Sequence, residues 1–554
     1  LPYDGEIKIV SNDVGEKAFG PMVIVKHTNK NFSFYTLYGH LSAKSLTKIR
    51  VGNKLKKGDF LGWIGDSHEN GNWAPHLHFQ ILLSLLDMGE NFPGVGYQKH
   101  IKSWKSICPD PDLIFIEDIS TTFSNYSSKK IITDRKNSLG KGLSLQYKNP
   151  LHIVRGEGIF LIDKNGRNYM DMINNVAHVG HEHPDVVKAG QLQMGQLNTN
   201  SRYLHPNITR LAKTLIATFP SELCIVHFVN SGSEANELAL RMIKTVTGSD
   251  DILVTKYGYH GNTKSCINIS SYKFDGEGGE GKPESTHVFP IPDKFRGIYR
   301  GENTANNYVK EIEAQITSLK KKKRKLGGLI IEPIISCGGQ VELPKGFLSK
   351  AFDLVKKENG ICVVDEVQTG CGRVGSHFWG FQLHNVIPDI VTIGKPLGNG
   401  HPVAAVVCTN EIANKFNNGM EFFNTFGGNP VSCAIANKVL DIVQSEKLQE
   451  NAFKVGNFLK KGILKLTKNS TNYFNVRGQG LFLGIEFVDV NLLPQAEKAN
   501  YVVDRMKFFG ILLSTDGPDK NVIKIKPPLI FSMDNAKFFL KLFSKIINED
   551  FIIK

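Results

Sequence analysis

From residue 137 onward, short apolar runs alternate with stretches whose apolar positions recur at helical spacing. The runs at 225–229, 252–254, 329–331, 361–364 and 390–392 read as strands, and the segments between them read as amphipathic helices. That alternation predicts a mostly parallel sheet covered by helices. Residues 1–114 carry a different pattern. Their apolar runs are short (22–27, 32–38 and 60–64) and are separated by Gly, Asn and Pro turns, which predicts a β-rich unit. The Cys-Pro-Asp-Pro-Asp stretch at 108–112 interrupts regular structure. A Ser/Thr/Lys-rich stretch at 120–136 then reads as a linker. The expected organisation is therefore residues 1–114, a linker over 115–136, and residues 137–554. No repeat of solenoid or propeller period is present.

The chain has 554 residues, enough for two to four domains. Its 41% hydrophobic and 22% charged content argues against a largely disordered chain. No apolar run approaches the length of a membrane-spanning helix, which argues against a membrane partner. The net charge of +14 is spread over a long chain, and no nucleic-acid partner is expected from it. The densest basic run, Lys320 to Lys325, lies between a polar helical stretch and an apolar strand and reads as a solvated helix end. Eight cysteines at irregular spacing, with no CxxC pair, suit a reducing, cytoplasmic protein. The sequence starts at Leu1, not at Met, and no signal peptide follows, so this reading expects a segment upstream.

Ligands of open parallel sheets sit at the carboxyl ends of the strands. After 225–229 comes Asn230-Ser-Gly-Ser-Glu-Ala-Asn236. Small residues at a strand-to-helix turn leave backbone N–H groups free to cradle an anion, although Ser231 or Ser233 could equally be a simple helix cap. After 252–254 comes Tyr257-Gly-Tyr-His-Gly261, which offers an aromatic ring to stack on a flat ligand or to close the core edge. After 361–364 comes Asp365-Glu-Val-Gln-Thr-Gly. A carboxylate there needs a cationic partner, either a pyridinium nitrogen or an arginine. After 390–392 comes Gly394-Lys-Pro-Leu-Gly-Asn399, where Lys395 could serve an aldehyde cofactor or be an ordinary lysine. An anion cradle, a stacking ring, a carboxylate and a reactive lysine together match the needs of pyridoxal 5′-phosphate.

The order Ser231-Gly-Ser-Glu-Ala-Asn, Tyr259-His-Gly, Glu332-Pro-Ile, Asp365-Glu-Val-Gln-Thr-Gly, Lys395 and Thr425-Phe-Gly-Gly-Asn-Pro resembles the class III aminotransferases. The resemblance covers about 137–554. It implies an α/β architecture, the fold type I of pyridoxal-phosphate transferases, with a large mostly parallel domain and a small α+β domain. It also implies the roles. Lys395 would be the Schiff-base lysine and proton shuttle. Asp365 would pair with the pyridinium nitrogen, and Tyr259 would stack on the ring. Gln368 would touch the ring oxygen, and Gly232 and Ser233, with Ser231, would bind the phosphate. His260 and Glu332 are counted with these cofactor-binding residues. Thr425 would reach the phosphate of a second subunit, which implies a homodimer with shared sites.

Four further stretches are similar to the branch that eliminates phosphate from ethanolamine phosphate or phosphohydroxylysine. They begin at Asn174, Leu197, Ser336 and Leu512, the last continuing to Pro528. The expected reaction takes a small-molecule amine, a phosphorylated amino alcohol, to aldehyde, ammonia and phosphate. Arg202, Lys524 and Lys526 are candidates for holding the leaving phosphate, each of them also readable as a solvated or structural cation. The alternative within the family is an ω-aminotransferase that needs a keto-acid acceptor.

In the first part, Tyr38-Gly-His-Leu-Ser42, Val51-Gly-Asn-Lys-Leu-Lys-Lys-Gly-Asp59 and Pro75-His-Leu-His-Phe79 resemble the lysostaphin-type zinc endopeptidases. On a strand His76 and His78 would share a face. The resemblance makes His78 a zinc-ligand position and makes His76 and His40 catalysis-assisting positions. The family's other ligands come from a His-x-x-x-Asp motif, and no His precedes His27. The expectation is therefore no bound metal and a scaffold or interaction module. A cell-wall-binding or peptidase function of this part is the reading from another class. The layout also suggests a kinase-like domain upstream, which would install the phosphate that this chain expels.

Overall fold

The computed structural model describes residues 1–13, 15–29, 32–97, 100–111, 114, 126–468 and 473–553. It divides the chain into Leu1–Ser127 and Ser128–Lys554. In the first unit, strands Lys54–Leu55, Gly5–Asp13, Gly20–Asn29, Phe32–Gly39 and His78–Leu82 form, in that order, an antiparallel sheet. Its central strand is apolar at consecutive positions because both faces are covered. Val23 and Val25 pack with Ile7, Tyr38 and Leu41, while Met22 and Ile24 pack with Leu37, Leu82 and Phe92.

Two expectations for this region need correction. Residues 60–64 are not a strand, and only an isolated bridge joins Leu41 to Ile64. The backbone there bonds to a helix start instead of a ladder. Trp63 N donates to Ser45 Oγ at 2.8 Å, and a Cβ on Gly62 would lie 2.5 Å from that oxygen. The expected linker is partly helical, since Ser128–Ser138 forms a helix with no buried residue. Residues 115–125 of that linker lie outside the described residues.

The second unit is built on a seven-stranded sheet. Its strands are β1 (Leu223–Val229), β2 (Asp251–Thr255), β3 (Thr286–Phe289), β4 (Leu326–Ile331), β5 (Ile361–Asp365), β6 (Ile390–Ile393) and β7 (Ala404–Thr409). The spatial order is β3-β2-β4-β5-β6-β7-β1. Only β7 runs against the rest. Helix α1 (Gly232–Thr247) covers one face, where Leu238, Met242 and Ile243 meet Ile252, Val254, Ile330 and Val363. Helices α2 (Thr304–Lys321) and α3 (Phe347–Lys357) cover the other, where Tyr308, Ile312, Phe347 and Phe352 meet Leu253, Leu329, Cys362 and Val364. Burial on both faces explains why these strands are apolar throughout. The basic run ends α2, with Lys320 paired to Glu358 and Arg324 to Asp251 and Glu284.

A second, antiparallel sheet (Tyr473–Gln479, Phe482–Val488, Val522–Ile525 and Ser514–Asp516) packs with helices Leu448–Thr467 and Met533–Ile547 around a third apolar cluster. Its strand Val522–Ile525 brings Lys524 and Lys526 toward the main sheet. Among the described residues, no helix is long and apolar enough to cross a membrane.

Candidate active site

Five strands of the main sheet deliver chemistry at their carboxyl ends. β1 leads into Ser231, Gly232 and Ser233, and β2 into Tyr259 and His260. β4 leads into Glu332, β5 ends at Asp365, and β6 leads into Lys395. All of these, with Gln368, line one cavity of about 350 Å³, a size suited to a small ligand.

The cradle forms because Ser231 caps α1, its hydroxyl accepting from Glu234 N at 3.2 Å. The N–H groups of Gly232 and Ser233 have no intrahelical acceptor, which leaves them for an anion. Two close approaches fix the backbone here. A Cβ on Gly232 would stand 2.8 Å from Val367 Cγ2, and one on Gly261, at φ +134°, would stand 2.6 Å from Ser233 Oγ.

Asp365 is buried, yet among the described residues no arginine pairs with it. Its Oδ2 accepts from Asn236 Nδ2 at 2.8 Å and meets His260 Nδ1 at 2.9 Å, and its Oδ1 accepts from Val367 N at 3.0 Å. Glu332 is also fully buried. It accepts from Ser336 N at 3.1 Å and from the Ser336 hydroxyl, and burial pushes its carboxyl up to about 7. Burial holds the Lys395 amine below the usual lysine range, opposed by Asp365, Cys337 and Glu332. A lysine so placed has a larger share of neutral, nucleophilic amine than one in water.

Gln368 Oε1 accepts from Asn175 Nδ2 at 2.8 Å and from Lys526 Nζ at 3.4 Å. Lys526 is 4% exposed. Burial, reinforced by the neighbouring charge of Lys524, lowers its ammonium to about 7. Lys524 itself pairs with Asp516 at 3.3 Å. Lys526 thus lies near a second lysine, whose carboxylate partner is Asp516, and itself donates to Gln368 at the cavity.

Two expected residues stand elsewhere. Arg202 does not join Lys524 and Lys526. It is exposed, pairs with Glu421 at 2.9 Å and lies over the Phe423 ring at 3.8 Å. Arg202 instead ties the 197–204 segment to the 420–426 loop. Thr425 is exposed and is not part of the lining of its own chain's cavity. Sequence reasoning gave no role to Asn236, Asn175 or Asp516. Asn236 could have been found, since four residues after Gly232 it shares that residue's inward helix face.

The residues fit pyridoxal 5′-phosphate. The cavity joins a helix start with free N–H groups, a buried carboxylate already oriented by Asn236, His260 and the Val367 N–H, and a buried lysine. Among the described residues, Asn236 Oδ1 and His260 Nε2 are buried there without a protein partner, so further polar contacts are available. A larger groove of about 780 Å³ lies along the other side of α1, past Arg241, Lys244 and Asp250, and contains none of the expected site residues.

In the first unit the strand begins at His78, so His76 lies just before it and not on it. Both rings still approach His40, at centroid distances of 4.6 Å from His76 and 5.7 Å from His78. His40 Nδ1 meets Asn70 O at 3.0 Å, and burial lowers the proton affinity of His40 and His78. A cleft of about 480 Å³ includes His40, His78, Trp73 and Asp13. Among the described residues, no group of three or more His, Cys, Asp or Glu is placed to hold a metal ion.

Comparison with known proteins gives two family matches. The profile of "Aminotransferase class-III" matches residues 144–547, and that of "Peptidase family M23" matches residues 2–87. A Drosophila melanogaster protein named alanine–glyoxylate aminotransferase 2-like is 44% identical over 435 residues, 76% of this chain and 88% of its own length. The Caenorhabditis elegans ethanolamine-phosphate phospho-lyase homolog 1 is 37% identical over 426 residues, 74% of this chain and 91% of its own length. Among solved structures, a phospholyase from Arthrobacter in complex with phosphoethanolamine is 35% identical. It superposes with a TM-score of 0.72 over 75% of this chain and 99% of its own.

Proposed function

This chain belongs to the class-III aminotransferase family, a family of pyridoxal-phosphate enzymes, and from that membership we propose that it eliminates phosphate from a phosphorylated amino alcohol. The observation that carries the reading is Lys526, a buried amine that donates to Gln368 at the cofactor cavity and has the charge of Lys524, itself paired to Asp516, nearby. A dianionic group would relieve that excess charge. The solved phospholyase with phosphoethanolamine supports the same substrate class.

Bound pyridoxal phosphate supplies an aldehyde for the substrate amine and an electron-accepting ring. The chain does the rest. Gly232 and Ser233 hold the cofactor phosphate at the start of α1. Asp365, fixed by Asn236 and His260, keeps a proton on the ring nitrogen. Tyr259 and Val367 would border the ring, and the Lys395 amine would take the proton from the amine-bearing carbon. Lys526 and Lys524 hold the phosphate ester and then the departing phosphate. With one water consumed, the products are aldehyde, ammonia and inorganic phosphate.

The reading includes a homodimer in which Thr425 reaches the cofactor phosphate of a second copy. Supporting it, Tyr203, Met420 and Phe426 are each about two-thirds exposed in the chain alone, at 67%, 67% and 68%. They lie on the two segments that Arg202 ties together.

The test is phosphate release from ethanolamine phosphate and phosphohydroxylysine with no keto acid added. The reading expects phosphate and ammonia in equal amounts and no turnover by Lys395→Ala. Amino transfer to pyruvate or 2-oxoglutarate without phosphate release would place the chain with the ω-aminotransferases.

A further inference from the structure

Asn175 sits in a turn fixed by Asp171, whose Oδ1 accepts from the N–H groups of Ile173 and Asn174 at 3.0 Å each. The residue is 4% exposed. Its amide donates to Gln368 Oε1 at 2.8 Å and approaches the Gln368 carbonyl at 3.4 Å. Lys526 Nζ donates to the same Oε1. Both donors therefore address the oxygen of the Gln368 carboxamide. Among the described residues, Gln368 Nε2 donates to no protein atom, and Gln368 lines the cofactor cavity.

A carboxamide is nearly symmetric in shape, and only its partners decide which end is oxygen. We propose that Asn175 is a positioning residue that holds the Gln368 oxygen away from the cavity, so that Nε2 donates to the cofactor ring. The oxygen is anchored jointly by Asn175 and by the lysine assigned above to the substrate phosphate. The amide that meets the ring and the cation that meets the phosphate are thus linked through one atom. Without Asn175, the amide can turn its carbonyl toward the ring. An acceptor would then face the electron-rich ring oxygen, and the hydrogen bond that favours its ionised form would be lost.

The inference rests on the reading above only in placing the cofactor beside Gln368. Its test uses the holoenzyme without substrate, so it can fail independently of phosphate release. The visible absorbance of bound cofactor is titrated with pH in the wild-type chain, Asn175→Ala, Gln368→Ala and the double variant. Asn175→Ala is expected to move the titration midpoint in the direction that Gln368→Ala moves it. In the Gln368→Ala background, Asn175→Ala is expected to move the midpoint no further. Thermal midpoints of the cofactor-free proteins report separately on any loss of folding. An unshifted titration in Asn175→Ala overturns the proposal. So does a shift that persists undiminished when Gln368 is already gone.

Discussion

Burial is the largest cause that lowers the proton affinity of two lysines, Lys395 and Lys526, and the charge of Lys524 adds to it at both. What distinguishes them is their company. Lys395 faces Asp365 and Glu332, whereas Lys526 faces Lys524, Asp516 and the Gln368 amide. The pH dependence follows from Lys526. Its folded-state value of about 7 means that the ammonium is present below that pH and lost above it. With the phosphate on the cation as proposed, Lys526→Met should lower kcat/KM roughly 10- to 100-fold at pH 6, the cost of removing a charge-assisted hydrogen bond. The ratio of wild type to variant should shrink as pH rises through 7. A ratio constant from pH 6 to pH 9 would separate Lys526 from the phosphate. At this scale the sequence was legible where a residue follows a strand directly, as Asp365 and Lys395 do. The Asn175–Gln368 bond was not, because it joins positions 193 residues apart and depends on how two sheets pack. The lysines at 524 and 526 were legible as charges, but only packing makes one of them a buried cation.

The element that organises the site is the start of α1 with the β2 loop laid across it. Gly261 meets Ser233 so closely that a methyl group has no room, and its backbone lies where side chains are disfavoured. Gly261→Ala should push the loop off the cradle. The expected result is a loss of at least about tenfold in affinity for pyridoxal 5′-phosphate, an effect of 1–2 kcal/mol, read by equilibrium dialysis. Affinity equal to wild type would show that the loop does not shape the cradle. The strands of the main sheet were legible because burial on both faces leaves continuous apolar runs. The expected strand at 60–64 fails for a physical reason as well. Its backbone bonds are taken by Ser45 and Ser42, and apolar composition alone does not supply a neighbouring strand. The helix Ser128–Ser138 was missed because no apolar face marks it, none of its residues being buried.

At the scale of the molecule, the proposed catalytic residues all come from Ser128–Lys554, which has four apolar clusters of its own among the described residues. A chain cut to 128–554 should therefore fold and release phosphate at a rate within about twofold of the whole, since the cut falls between independently packed units. Loss of the folded state or of turnover would show that Leu1–Ser127 contributes to the enzyme. The change of pattern near residue 115 made two units legible, and the recurring strand–loop chemistry made the larger one's architecture legible. How the smaller unit serves the larger was not legible, since its histidines point to a chemistry that the second unit does not use.

The account divides labour between two buried lysines, one for the cofactor and one for phosphate. Borohydride reduction of the holoenzyme, followed by digestion and mass analysis, fixes the cofactor to whichever amine carries it. The account predicts the added mass on the peptide containing Lys395 and an unmodified Lys526. Modification of Lys526, with Lys395 left free, would contradict it.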